Sequence, residues 1–226
     1  MLLHIEGVLN AEQLAHVQAM LAQGRWVDGK MTAGIQSAAV KNNLQLDQAD
    51  EHTHALASFI KQAVIGNSEF FSAALPRTVL EPLFNCYQTG QNFGDHIDNA
   101  VRMDPHTRAW VRTDVSSTLF LNQPDEYDGG ELVIEDHYGS HSVKLAAGDM
   151  IVYPATSLHR VEPVTRGQRL ASFFWTQSMI ASDEQRSLLF DMDRAISALR
   201  LQYGETPELV LLTGTYHNLL RQWAQI

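Results

Sequence analysis

The chain has 226 residues, 45% of them apolar, and a formal net charge of −10; this is enough for one large domain with a real core, or one domain with an appendage. The acidic balance argues against a nucleic-acid or anionic-membrane surface, each of which needs clustered Lys and Arg. With one cysteine, Cys86, no internal disulfide forms, no run approaches the roughly 18 apolar residues of a membrane span, and the start of the chain lacks a signal-peptide pattern, so a cytoplasmic location is expected.

Asn10 followed by Gln13 has the form of a capping box, and Leu14, Val17 and Leu21 recur on one helical face. A first helix is expected there, stopping near Gly24. Trp26 to Leu46, with Gly29 and Gly34, fits a short strand or an ordered loop. From Asp47 or Asp50 to Ile65 the pattern is helical, with Leu56, Ile60, Ala63 and Val64 on one side and Gly66 as the stop. Ser68 can cap a short helix that Pro76 ends.

After Pro76 short apolar runs alternate with turns. Val79–Tyr87, Phe93–Ile97, Val115–Asn122, Glu131–Glu135, Ser142–Leu145, Asp149–Tyr153 and Arg169–Thr176 read as strands. Pro124, Asp128-Gly129-Gly130, Gly139, Gly148-Asp149 and Arg166-Gly167 punctuate them. Seven or eight short strands in about a hundred residues suggest a sandwich or barrel rather than βαβ units. Ser182 and Gln185 then open a helix with Leu188, Leu189, Met192, Ile196 and Leu199 as its stripe. Thr206-Pro207 opens a last one, with Leu209, Leu212, Tyr216, Leu219, Leu220 and Trp223 on its apolar side and Gly214 marking close packing.

The chemistry concentrates at His96-Ile97-Asp98. In an extended tripeptide the first and third side chains share a face, about 6–7 Å apart along the chain, so an imidazole and a carboxylate can grip one side of a divalent metal. His159, after the Asp149–Tyr153 strand, is the candidate third ligand, because antiparallel strands far apart in sequence can lie side by side. Two His and one carboxylate leave three adjacent positions open, as in non-haem Fe(II) oxygenases; zinc accepts the same set. Arg169 helps to decide. Alternation puts Arg169, Ala171, Phe173 and Trp175 on one strand face. An arginine there is costly to bury unless it meets an anion, and its planar fork suits a carboxylate. A dicarboxylate that chelates iron at one end and meets Arg169 at the other is the arrangement expected for 2-oxoglutarate. Tyr87 either offers its hydroxyl to the same ligand or packs the barrel. Arg169 pairing with Glu131 is the alternative reading of the arginine.

Six stretches carry a family resemblance: His96-Ile97-Asp98-Asn99-Ala100, Ser117-Thr118-Leu119-Phe120-Leu121, Tyr127-Asp128-Gly129-Gly130-Glu131-Leu132-Val133-Ile134, Ala147-Gly148-Asp149, Ser157-Leu158-His159-Arg160-Val161, and the run from Leu212 to Arg221. Together they resemble the PKHD-type hydroxylases, bacterial relatives of prolyl and lysyl hydroxylases in the Fe(II)/2-oxoglutarate dioxygenase superfamily. The resemblance implies an α+β fold with a double-stranded β-helix, or jelly-roll, core. On this reading residues 1–76 form a helical support, 77–178 the barrel and 182–226 a two-helix segment. It implies Fe(II) at His96, Asp98 and His159, 2-oxoglutarate at Arg169, and L-ascorbate (vitamin C) to keep the iron reduced. The activity implied is O2-dependent hydroxylation of an unidentified small-molecule or peptide substrate, giving succinate and CO2. Family members are often associated with iron uptake.

Two other functions use the same residues: a non-catalytic sensor of iron or a small acid such as 2-oxoglutarate, and a zinc hydrolase or isomerase on a cupin-like barrel. Among the remaining side chains, His52 and His54 sit two apart on a helix and do not share a face. His137 and His141 straddle Gly139 in an expected exposed hairpin, and His106 stands alone. Arg102, Arg108 and Arg112 read as a solvated basic loop, and Cys86 as a small core residue. The C-terminal helices cover the barrel or meet another subunit, with a homo-oligomer as the expectation.

Overall fold

Residue choice at the chain's first turns sets the helices. β1 (Leu3–Ile5) leads to α1 (Ala11–Gln23), where the Asn10 side chain accepts from the Gln13 amide and Gln13 returns a bond to the Asn10 amide. This reciprocal box satisfies two N-terminal donors that no helical carbonyl can reach. The computed structural model describes residues 1–32 and 35–226, so Gly34 lies outside the described residues. The stretch after α1 holds β2 (Trp26–Asp28), a 3₁₀ turn at Gly29–Thr32, α2 (Ile35–Val40), β3 (Lys41–Asn42) and β4 (Leu44–Leu46). α3 (Glu51–Ile65) is capped by Asp50 and stopped at Gly66, as expected. α4 (Ser68–Ala74) departs by one residue. Asn67, not Ser68, is its cap, because the Asn67 side chain reaches the Phe70 amide.

The β region contains β5 (Pro76–Val79), β6 (Leu83–Gln88), β7 (Asn92–His96), β8 (Val101–Met103), β9 (Trp110–Arg112), β10 (Val115–Phe120), β11 (Asp128–Gly129), β12 (Leu132–Asp136), β13 (Gly139–Val143), β14 (Met150–Pro154), β15 (His159–Val161), β16 (Val164–Arg166) and β17 (Gln168–Ser178). The 17 strands among the described residues exceed the seven or eight expected, because most of the extra ones are only two or three residues long. The expected Val79–Tyr87 strand is two strands, β5 and β6, interrupted at Leu80–Pro82 where a proline cannot donate to a ladder.

Two main antiparallel sheets result, alongside the two-stranded pairs β11-β16 and β8-β9. The larger runs β1-β14-β10-β17-β6-β4-β2, with β5 also on β17, and the smaller runs β13-β12-β15-β7-β3. Period-2 alternation gives each strand of the larger sheet two jobs. One face meets Val17 and Leu21 of α1, Leu56 and Ile60 of α3 and Phe70 of α4 through Leu119, Val152 and Phe174. The other face meets the smaller sheet, with Tyr87, Phe120 and Ile151 packing on Leu132, Ile134 and Val161. The order is helices, large sheet, small sheet, and the functional side chains lie between the sheets.

α5 (Asp183–Tyr203) is capped by Ser182 and α6 (Pro207–Trp223) by Thr206. They pack as a pair around Leu75, Ile180 and Leu189, with Tyr216, Leu219, Leu220 and Trp223 alongside. Four expectations fail here. Leu199, expected on the buried stripe of α5, is exposed. Leu188 is 60% exposed, while Arg186 is buried, its guanidinium donating to the Ile180 and Ala181 carbonyls and to Asp183. Leu212 is exposed. A Cβ on Gly214 would meet nothing within 4 Å, so this glycine does not mark close packing. Among the described residues no helix is long and apolar enough to cross a membrane.

Candidate active site

β7 places His96 at its last position, and β15 opens with His159. The two are partners across the β15–β7 ladder, with ring centroids 4.1 Å apart. Both rings are held from behind. His96 Nδ1 lies 2.8 Å from the Gly94 carbonyl and His159 Nδ1 lies 3.0 Å from the Ser157 carbonyl. A carbonyl only accepts, so each Nδ1 carries the hydrogen, which leaves Nε2 as the nitrogen turned toward the site. Phe93 stacks on His96 at 3.6 Å, and Tyr153 meets His159 edge-on at 5.2 Å.

Asp98 completes the group. Its Oδ2 accepts from Ser116 Oγ at 2.5 Å and lies 3.8 Å from His159 Nε2. One ligand atom each from His96, Asp98 and His159 fall within 4.8 Å of one another. Burial, and next the neighbouring His159, push the pKa of His96 down to about 4, so its imidazole is neutral and available as a ligand. Two imidazoles and a carboxylate with backing groups already in place are a fitting donor set for Fe(II).

Arg169 and Tyr87 are cross-strand partners of β17 and β6. Arg169 is 1% exposed and its guanidinium lies 5.5 Å from the Tyr87 ring and 5.2 Å from that of Phe120. Its hydrogen bond to Asn85 Oδ1 is a long one, 3.4 Å, and among the described residues its Nε has no hydrogen-bond partner. Glu131, the alternative partner from sequence, instead lies 4.0 Å from Lys144. A buried cation so sparsely satisfied fits an anionic ligand. Burial pushes the Tyr87 hydroxyl up to about 12, against the opposing pull of Arg169, so it stays protonated and able to donate.

His96, Asp98, His159, Tyr87 and Arg169 line one cleft of about 750 Å³, mouth included. Sequence reasoning missed several of its other walls. Ser116 sits in β10, a strand buried at every position, where a polar residue was itself the signal. Arg102 is not in a solvated loop: it lies 4.1 Å over the Trp175 ring and lines the cleft. Lys41 lines it too, buried, with its ammonium 5.2 Å from the Phe93 ring. Arg112 instead pairs with Asp114 through two hydrogen bonds. Cys86 is buried on β6 and burial raises its thiol to about 11, in keeping with a core role. His141, in the β12–β13 hairpin, bonds Asp136 at 2.8 Å.

This fold and site define a class. Residues 82–177 match the 2OG-Fe(II) oxygenase superfamily, and solved structures of that class share the double-stranded β-helix. A prolyl-4-hydroxylase of Pseudomonas putida aligns with a TM-score of 0.53 at 20% identity, over 78% of this chain and 92% of its own. HygX of Streptomyces hygroscopicus, solved with nickel, 2-oxoglutarate and hygromycin B, aligns at 0.54 with 14% identity, over 78% and 82%.

Within that class the chain belongs to the PKHD-type hydroxylases. It is 60% identical over 225 residues to a PKHD-type hydroxylase of Saccharophagus degradans, covering 100% of both chains. Residues 183–225 match the PKHD-type hydroxylase C-terminal domain. The protein is therefore an oxidoreductase of the iron- and 2-oxoglutarate-dependent kind.

Proposed function

We propose that His96, Asp98 and His159 hold Fe(II), that Arg169 and Tyr87 hold the far carboxylate of 2-oxoglutarate, and that the product is a hydroxylated small molecule or peptide. The observation that carries this is the pair of imidazoles whose Nδ1 atoms are committed to backbone carbonyls, grouped through their other nitrogens with Asp98. The Nε of Arg169, without a hydrogen-bond partner among the described residues, supports the dicarboxylate, as does the 2-oxoglutarate bound to the structurally similar HygX.

When bound, iron and 2-oxoglutarate supply the oxidative chemistry, in which O2 and 2-oxoglutarate yield succinate, CO2 and a hydroxyl on a substrate carbon. The chain's own residues bind, orient and shield. Gly94 and Ser157 fix the tautomers, Ser116 fixes Asp98, and Phe93 and Tyr153 keep the imidazoles dry. Lys41 and Arg102 line the same cleft, which suits a substrate carrying an anionic group.

L-ascorbate sustains turnover in this reading by keeping the iron reduced. A lone, buried Cys86 suits the reducing cytoplasm. Exposed Leu188, Leu201, Val210 and Leu211 on α5 and α6 suit contact with a second copy of the chain. An association with iron uptake follows from the family resemblance.

Succinate formation from 2-oxoglutarate with Fe(II) and ascorbate is the test. The wild type is expected to form succinate and His96→Ala none. Full turnover in His96→Ala overturns the iron assignment. Iron and 2-oxoglutarate binding without succinate, whatever the substrate offered, favours a sensor.

A further inference from the structure

Three elements remote in sequence meet at the surface beside the cleft: His54 on α3, Glu81 between β5 and β6, and His106 in the turn joining β8 and β9. His106 does not stand alone, as its sequence context suggested. His54 Nδ1 lies 2.8 Å from Glu81 Oε1, and His106 Nε2 lies 2.7 Å from Glu81 Oε2. The rings are 5.8 Å apart and edge-on. One ligand atom from each residue falls within 4.8 Å of the other two.

We propose that His54, Glu81 and His106 form a second metal site, for Zn(II) or another borderline divalent transition ion. Two imidazoles and one carboxylate suit that class, whereas Ca²⁺ and Mg²⁺ take oxygen sets. Ligands bound to one metal at about 2.0–2.2 Å sit farther apart than the present hydrogen bonds, so the ion takes the place of the bridging hydrogens with a small outward shift. The scaffold is firm on each side. His54 is on a fifteen-residue helix. The His106 turn is tied by Asp104, whose Oδ1 accepts from the amides of His106 and Thr107. Glu81 is sheltered at 18% exposure, while His54 and His106, at 44% and 62%, leave a path from solvent.

The location gives the site a consequence. His54 and Glu81 also line a second cleft, which shares Arg102 and Trp175 with the first. An ion there pins the β8–β9 hairpin, which carries Arg102, against α3. It therefore stiffens one wall of the approach to the candidate active site.

Zn(II) titration of chelator-stripped full-length protein by calorimetry tests this with a readout independent of turnover. His96→Ala, in which the first site is disabled, is expected to bind one Zn(II) per chain. Adding His106→Ala, and separately His54→Ala, is expected to weaken that binding at least tenfold, with circular dichroism unchanged. No binding by His96→Ala, or retention of its affinity in both double variants, overturns the proposal. A wild-type stoichiometry of one with His96→Ala at zero likewise rejects this site while leaving the first intact.

Discussion

His159 and His96 face each other across the β15–β7 ladder, and the register slips there: His159 pairs with His96 but Val161 pairs with Phe93. Arg160 of β15 thus opposes two residues of β7, Gly94 and Asp95. Bulges of this kind bend a strand and re-aim a side chain. Here Gly94 falls within the bulged stretch, and its carbonyl is the group that takes the His96 Nδ1 hydrogen. The irregularity that breaks the ladder is also what orients the ligand.

Asp98 lies beyond the end of β7, so it depends on a side chain for its aim. Ser116 supplies it, with an Oγ-to-Oδ2 distance of 2.5 Å. Ser116→Ala is expected to weaken Fe(II) binding roughly 10–100-fold, the usual effect of removing an outer partner of a ligand. The fold should survive, because a small buried hydroxyl is being replaced by a methyl. Metal titration under anaerobic conditions checks it; wild-type affinity in Ser116→Ala counts against Asp98 as a ligand.

Arg169 is expected to cost stability and to serve binding. Its guanidinium is buried, its hydrogen bond to Asn85 is long, and among the described residues its Nε has no partner. Arg169→Lys should raise the KM for 2-oxoglutarate roughly 10–100-fold, since a point charge cannot replace a planar fork and charged hydrogen bonds contribute about 1.5–3 kcal/mol. Arg169→Met should unfold no earlier than the wild type in urea, because an apolar side chain removes a poorly satisfied buried charge. An unchanged KM in Arg169→Lys would move the cosubstrate elsewhere.

How much of this was legible depended on sequence distance. His96 and Asp98 were visible because their spacing of two reads as a strand face, although β7 ends at His96. Arg169 was visible because Phe173 and Trp175 repeat its period, and all three do line the cleft. Lys41 was not, because β3 is two residues long and gives no period to read. Arg102 looked like a hydrated cation until β8 brought it over Trp175, 73 positions later in the chain. Glu81 and His106 come from separate loops, and no local pattern joins them. The double-stranded β-helix itself followed from family resemblance, while strand texture alone gave only a sandwich or barrel.

Gly129 and Gly130 form a turn that only glycine fits well, with φ of +70° and +68°. A Cβ on Gly129 would lie 2.1 Å from the Pro163 carbonyl oxygen, a backbone atom with little room to give. Gly129→Ala is expected to lose more than about 2 kcal/mol of unfolding free energy. A Cβ on Gly130 would press on Val164 and on Arg169 Cδ at 3.0 and 3.2 Å. Gly130→Ala should therefore lose about 1–2 kcal/mol and also raise the KM for 2-oxoglutarate. A stability loss with unchanged KM would show that Arg169 tolerates the push.

Lys41 gives the chain a distinctive pH dependence. Burial first, and then the neighbouring Arg102, push its pKa from the ordinary 10.5 down to about 8. Between those two values the unfolded chain holds the proton and the folded chain has released it. The unfolded state then binds more protons, so the contribution of Lys41 to folding becomes more favourable as pH rises through that window. Below about pH 8 both states are protonated and the folded protein bears a net cost for holding this ammonium, after the opposing pull of Asp98 and Asp28, on the order of 3 kcal/mol. Lys41→Met removes the titrating group. Urea unfolding at a series of pH values should therefore show the variant more stable than the wild type near pH 7, with the gap closing by about 3 kcal/mol toward pH 10.5. Parallel curves for the two proteins would mean that Lys41 keeps its ordinary pKa. The same variant is expected to bind an anionic substrate less well, because a cation kept in a cleft at a cost to stability is most simply explained by what it binds.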